Sequence, residues 1–291
     1  MKLSPVLPFG LLFVAAGCGS HAAPLHPLES AAVSPPALAE KYDAGATGTI
    51  KGTVVWKGEL TTARSFHEAK AAIGSAAIHD DARNPHLPRV NPNGKGVGEA
   101  VIFLRKVEPS RSKPWDLSAV RAEMNEGHIR IEQGTAGHLT GFVRAGQEIE
   151  MVSHSKELEI LRARGSAFFT LAFPEPEKPL RRKLRASGLV ELTGATTNYW
   201  ARSWLFVVDH PYYTRTDTEG RFTLDNVPAG HYELVCWMPN WLVGRFERNP
   251  ENLYVGRLWF LPPMEMTEIV QVRRGEIVEA NCKVGETDFK R

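Results

Sequence analysis

Three cysteines in 291 residues are too few for a disulfide-dense scaffold. Neither Cys236 nor Cys282 has a second Cys or a His at metal-finger spacing, which excludes a zinc finger. Charge of one sign is also lacking: 35 Lys and Arg stand against 33 Asp and Glu, a formal charge of +2 that gives no footprint for nucleic acid. No apolar run reaches the roughly 20 residues of a membrane span, and the longest, at the N-terminus, is broken by Pro5 and Pro8. No long amphipathic helix pattern appears, which leaves an all-β class. Nucleophile motifs, paired catalytic carboxylate signatures and phosphate loops are missing too. Gly134 to Gly137 (GTAG) reads as a turn, and Asp209 beside His210 is no triad without geometry. The chain therefore reads as non-catalytic, with no cofactor.

What is present begins with MKLSPVLPFGLLFVAAGC, where one charged residue, an apolar run and Ala15, Ala16 and Gly17 precede Cys18. The segment resembles a bacterial lipoprotein signal ending in a lipobox. The resemblance implies cleavage after residue 17, acylation of Cys18 and a mature chain held on a membrane of the cell envelope. Gly19, in place of an acidic residue, follows the pattern that goes on to the outer membrane rather than the inner one. Residues 18 to 47 are rich in Ala, Pro, Ser and Gly and read as a tether.

GTIKGTVVWKGEL then starts the fold, with Ile50, Gly52, Val54 and Trp56 on one face. Residues 60 to 95 form an excursion in which the Ala-rich EAKAAIGSAAI suggests helix and NPHLPRVNPNGKG excludes regular structure. Short strands follow: AVIFLRKV (100 to 107), a VRAEM/HIRIE hairpin, EIEMVS (148 to 153), LEILRA (158 to 163), AFFTLAF (167 to 173), LVEL (189 to 192) and WLFVVD (204 to 209). Past Asp209, Glu219-Gly220 and Pro228-Ala229-Gly230 mark turns before strands Arg221 to Leu224 and Tyr232 to Trp237. Tyr232, Leu234 and Cys236 share one face, and Val278, Ala280, Cys282 and Val284 share another, so both thiols point into a core. Either a Cys236–Cys282 disulfide or two buried free thiols satisfies that pattern.

GTIKGTVVWKGEL, NPNGKGVGEAVIFL, RAGQEIEMVSHS and WARSWLFVVDHPYYTRTDTEGRFTLDNVPAGHYELVCW resemble, in that order, a bacterial envelope family. Its members join a plastocyanin-like cupredoxin domain to a carboxypeptidase regulatory-like β-sandwich, similar to transthyretin-like and starch-binding folds. The resemblance covers about residues 47 to 240 and implies a cupredoxin-like domain over 48–209 and a regulatory-like sandwich over 210–291. The family's copper ligands are not retained. Their positions fall on Glu159, Ala195, Asn198 and Ala201, and no Cys lies between residues 19 and 235. A blue copper site needs a thiolate, so type 1 copper is excluded from this domain and the expected metal is none.

Other ligand types remain in the chain. His67, His79, Asp80, Asp81 and His86 fall in the excursion, where a hydrated polar loop is the plainer reading, and His154 lies near Glu157 and Glu159. His210 reads as structural beside Pro211 and Tyr212, and Arg181, Arg182, Lys183 and Arg185 as a solvated hairpin tip. WMPNWLVGRF offers Trp237, Trp241 and Phe246 for stacking on sugar rings or anchoring an interface. Core packing competes for Trp237, in a strand, and exposure for Trp241, after Pro239-Asn240. The expected function is a lipid-anchored envelope scaffold or binding module, with a glycan as the first candidate partner and an envelope protein as the other. The alternatives are a metal-handling or electron-transfer protein, and a subunit of a larger envelope complex.

Overall fold

Period-two alternation governs the chain, and strands form where it is strongest. The computed structural model describes residues 41–290 apart from 60–65, 71–77, 83, 85, 126, 195–199, 249 and 251–254. Cys18, the signal segment and the tether to residue 40 lie outside the described residues. The first strands are β1 (Thr47–Lys57), β2 (Phe66–Lys70), β3 (Ile78–Ala82), β4 (Arg89–Val90), β5 (Val97–Gly98) and β6 (Val101–Arg105). Next come β7 (Arg121–Asn125), β8 (His128–Glu132), β9 (Gly137–His138), β10 (Thr140–Arg144) and β11 (Glu148–Ser153). They are followed by β12 (Glu159–Gly165), β13 (Phe169–Phe173), β14 (Leu180–Lys183), β15 (Gly188–Gly194) and β16 (Arg202–Val208). The last are β17 (Tyr213–Arg215), β18 (Arg221–Pro228), β19 (Gly230–Met238), β20 (Val243–Arg248), β21 (Val255–Phe260), β22 (Met264–Val272), β23 (Ile277–Glu279) and β24 (Cys282–Gly285). Among the described residues there is no α-helix, so none long and apolar enough to cross a membrane. The class is all-β.

β1 is the hub of one sandwich. It pairs antiparallel with β18 and parallel with β23 and β24, while β17, β6, β19 and β22 make the facing sheet. Ile50, Val54 and Trp56 of β1 meet Ile102 and Leu104 of β6 and Leu234 and Cys236 of β19 in a single core. A second sandwich sets β10–β16–β15–β12–β13 against β14–β11–β7–β8–β9, around Ile131, Met151, Leu161, Val190 and Leu205. Aromatic residues join the two. Phe103 and Trp237 from β6 and β19 pack on Phe142, Trp204 and Phe206 from β10 and β16.

This arrangement corrects the expected division into 48–209 and 210–291. β1, β5 and β6 build their core with β18, β19 and β22 to β24, and the second sandwich, β7 to β16, is inserted between them. Alternation in β1 announces a face to be covered but not which strands cover it, and those partners lie more than 160 residues away. The helix suggested by EAKAAIGSAAI also gives way at both ends. Phe66–Lys70 and Ile78–Ala82 pair as antiparallel strands, with His67 opposite Asp81, because ladder pairing overrides local helix propensity, even that of Ala; residues 71–77 lie outside the described ones.

The TDTEG turn locks β18 onto β1. Asp217 Oδ1 accepts from the backbone N–H groups of Glu219 (3.0 Å) and Arg221 (2.8 Å). Gly220 has φ +79°, and a Cβ there would stand 2.3 Å from the Val54 carbonyl oxygen, so only glycine fits. Tyr212 of the DHPY segment donates its hydroxyl proton to the Asn226 carbonyl at 2.9 Å and accepts from the Lys113 backbone N–H at 3.0 Å. Burial pushes the pKa of that phenol well above its ordinary value, so it remains a donor. Cys236 is buried and Cys282 half-buried on the same core as free thiols, and Cys282 Sγ donates to Met266 Sδ at 3.8 Å.

Candidate functional site

The aromatic residues expected to bind divide sharply. Trp237 is 4% exposed, with Trp204 and Phe206 at ring distances of 5.5 and 5.1 Å, and holds the two sandwiches together. Trp241 is 1% exposed against Trp56 (5.9 Å) and Phe289 (4.3 Å). Neither can stack on a ligand, because Trp241, despite following a turn, folds back under the core. Phe246 is different: it stands 53% exposed on β20, in the ribbon that β20 makes with β21. Cations cover the ribbon's rings. Arg248 lies 5.2 Å from the Phe246 centroid, and Arg245 and Arg257 lie 4.8 and 4.4 Å from that of Trp259.

His67, His79, Asp80 and Asp81 sit on the β2–β3 hairpin, their side chains outside the described residues, and the other candidate metal ligands each have separate surroundings. His86 is fully buried, its Nε2 2.9 Å from the Trp200 carbonyl and its ring edge-on to Trp204 and Phe260. Burial first, then the neighbouring Arg202, drops its pKa to about 3, so the ring is neutral and packed. His154 lies 2.6 Å from Glu177 and 3.4 Å from Glu123, not beside Glu157 or Glu159, and those two carboxylates hold its pKa above the usual value. His210 is buried, and its Nδ1 accepts from the Tyr212 N–H at 3.4 Å. Ala201 lies in the core of the inserted sandwich and Glu159 opens β12; Ala195 and Asn198 are outside the described residues. Among the described residues no three His, Cys, Asp or Glu side chains are placed to hold a metal ion.

A different set of side chains comes together. An open hollow of about 1050 Å³ lies between β4, β9, β17 and β18, with Arg89, Glu99, His138, Arg215, Asp217 and Arg221 in its wall. Arg89 and His138 also line a second hollow of about 130 Å³, with His128, Arg130 and Arg202. Arg202 in turn lines a third, about 160 Å³, between the β20–β21 ribbon and β12 and β15, together with Arg162, Arg164 and Arg257. The hollows share walls. Across them eight arginines, and no lysine, face three carboxylates, Glu99, Asp217 and Glu191.

Two of these arginines are fixed by burial. The Arg215 guanidinium stacks 4.4 Å from the Phe142 centroid and donates to Thr140 Oγ1 and Gln133 Oε1, each at 3.0 Å, and to the Thr140 carbonyl. Burial lowers its pKa to about 10, which leaves it charged at neutral pH. Arg202 is held between Trp204 (4.7 Å) and Phe260 (4.4 Å) and paired through Nε with Glu191. Its side chain is 10% exposed, yet Nη1 is buried with no hydrogen-bond partner among the described residues. A cationic N–H without an acceptor is costly, and anion oxygens are what such a donor takes.

Glu99 lies at the other end. Its backbone has φ +65°, an uncommon conformation for a non-glycine residue, secured by Thr216, whose Oγ1 accepts from the Ala100 N–H at 2.9 Å. The carboxylate meets His138 Nδ1 at 2.9 and 3.1 Å. Burial pushes its pKa up, but His138, Arg89 and Arg215 outweigh that and keep it below the usual value, so Glu99 is ionised. Arg89 acts on Glu99, whereas Arg130, Arg162 and Arg164 have no carboxylate within ion-pair distance among the described residues.

Sequence reasoning passed over these residues because they are scattered over 170 positions. One signal was available: Arg202 and Arg215 interrupt or end otherwise apolar strands, where a charge must be paired or functional.

Residues 182–249 match the family model described as polysaccharide lyase family 4, domain II. The matched segment runs from β14 to β20 and so takes strands from both sandwiches, including the buried Arg202 and Arg215 and the exposed Phe246. That family model describes a fibronectin type III-like β-sandwich, and the match covers less than a quarter of the chain. No curated protein matches. Among solved structures, a chain from the cryo-EM structure of a heme-copper terminal oxidase dimer aligns at 10% identity and TM-score 0.24, over 36% of this chain and 79% of that one, a likeness too slight to carry fold or function.

Proposed function

We propose that this protein is a non-catalytic, carbohydrate-binding module of the cell envelope, lipid-anchored through Cys18 and held by the tether at the surface of the outer membrane. The observation that carries the reading is the match of residues 182–249 to domain II of a polysaccharide lyase family. Support comes from the clustered side chains, which suit polyhydroxylated ligands: charged forks for hydroxyl pairs, and Phe246 as an exposed ring. On this reading the inserted sandwich is a cupredoxin-like scaffold that has lost copper, since Ala201 is packed in its core and the thiolate is absent.

Affinity electrophoresis of the full-length lipoprotein in detergent, through gels containing soluble envelope polysaccharides, tests the proposal. Retardation in at least one glycan gel is expected. Equal mobility in every glycan gel and in a plain gel overturns it.

A further inference from the structure

We infer that the three hollows form one groove for a carboxylate-bearing glycan, gripped by arginine forks around Arg202. The inference rests on the carbohydrate-binding reading and narrows it to a ligand class. Three observations lead to it. First, the lining is selective: eight arginines to three carboxylates, in a chain whose overall charge is only +2, is local segregation of charge. Second, the cations are all arginine, whose planar fork matches a carboxylate through two parallel N–H bonds, whereas lysine offers a point charge. Third, Arg202 supplies a built position. Its guanidinium is immobilised between Trp204 and Phe260, Glu191 neutralises one edge, and Nη1 remains a buried donor lacking an acceptor.

The shape agrees. Arg89 and His138 are common to the first and second hollows and Arg202 to the second and third, so the three are neighbours and a ligand laid across them meets arginine in each. Exposed Arg130 and Arg162 lie along the way, each without a carboxylate partner among the described residues. A neutral glycan would leave these cations uncompensated. A uronate-type polymer, with a carboxylate on each sugar, pairs with them successively.

The test uses the full-length lipoprotein in detergent, with alginate, its propylene glycol ester (the same backbone with the carboxylates masked) and duplex DNA as probes. The variants are Arg130→Glu and Arg162→Glu, which are exposed and leave the cores intact, and Arg202→Lys with its thermal midpoint recorded. Alginate is expected to bind at least tenfold more tightly than its ester and to weaken at least tenfold between about 50 and 500 mM salt, as screening shortens the reach of surface charge. Each charge reversal should cost about tenfold, and Arg202→Lys a similar factor at a thermal midpoint near that of the wild type. Equal affinity for alginate and ester, wild-type binding by both charge reversals, or DNA bound as tightly as alginate overturns the inference. Binding of a neutral glycan alone sinks the acidic-ligand inference and leaves the carbohydrate reading standing, whereas binding of no glycan removes both.

Discussion

Replacing Trp241 separates core packing from ligand stacking more cleanly than any other substitution. An indole buries on the order of 200 Å², which at about 25 cal/mol per Å² is worth roughly 5 kcal/mol. Truncations of buried Trp to Ala cost about 3–5 kcal/mol. One contribution acts in the other direction. Trp241 Nε1 is buried without a partner, so deleting it relieves a desolvation cost of about 1–3 kcal/mol. Trp241→Ala should therefore lose about 3 kcal/mol, near the lower end of that range. Trp241→Phe relieves the same donor and keeps ring contact with Phe289, so it should lose less than about 1.5 kcal/mol. The Asn84 side chain bonds the backbone carbonyl of residue 241, which neither change removes. Urea unfolding followed by far-UV circular dichroism reads the difference. With a slope near about 3 kcal/mol/M, the Ala variant's midpoint should fall by about 1 M. A midpoint within about 0.2 M of the parent would refute the placement of Trp241 in the core. So would a loss of glycan retention in a folded Trp241→Phe protein.

Gly220→Ala should destabilise by at least about 2 kcal/mol, from the positive φ and the clash with the Val54 carbonyl, and an unchanged thermal midpoint would contradict the turn geometry. His86 is neutral in the fold, with its pKa moved from 6.5 to about 3. Between those values the unfolded chain binds the extra proton, so stability should fall as pH drops from 6.5 toward 3, by up to about 1.4 kcal/mol per pH unit. His86→Phe should flatten that part of the stability profile, and an unaltered slope would count against the burial argument. For His154 the sign is opposite. Its pKa is raised by Glu177 and then by Glu123, so its small contribution is present below the unfolded value and is lost as pH rises through the folded one; an NMR titration in Glu177→Gln showing no downward shift would refute this. Of the two thiols, Cys282 is the less buried and its pKa is held down by the hydrogen bond from Cys236, while that bond and burial raise Cys236. Maleimide should label Cys282 first, and faster labelling of Cys236 would reverse the assignment.

Much of the fold was legible because period-two alternation is a local property. The run EIEMVS coincides with β11, and the faces assigned around Ile50, Val54 and Trp56 and around Tyr232, Leu234 and Cys236 meet in one core. Which faces meet was not legible. β1 closes a sheet with strands near residues 221 and 282, and no local pattern encodes a partner at that separation. The same limit hid the site. Arg130, Arg202 and Arg257 lie on three strands and signify little singly, and the near-neutral composition conceals their clustering. Trp241 shows the converse error. A turn sequence, Pro239-Asn240, implies exposure, but Asn240 donates to the carbonyls of Pro262 and Phe289 and draws the following indole under the core.

Insertion of one sandwich into another creates the groove. The β17 and β18 walls belong to the outer sandwich and β8, β9, β12, β15 and β16 to the inserted one, while β4 and the β20–β21 ribbon come from separate two-stranded sheets. Aromatic packing across Trp204, Phe206 and Trp237 fixes the two against each other, and Arg202 leaves the same strand as Trp204, two residues earlier. The contact that aligns the sandwiches therefore also places the buried guanidinium. Sites at such junctions gain polar groups from both sides without either core having to accommodate a cavity. The DHPY segment follows directly on β16, so one short stretch carries the chain from the inserted sandwich back to the outer one and sets Arg215 in the wall of the first hollow. The long motif around it is thus accounted for by architecture: His210 and Tyr212 fix the return, Asp217 and Gly220 lock the turn, and Arg215, between them, lines the first hollow.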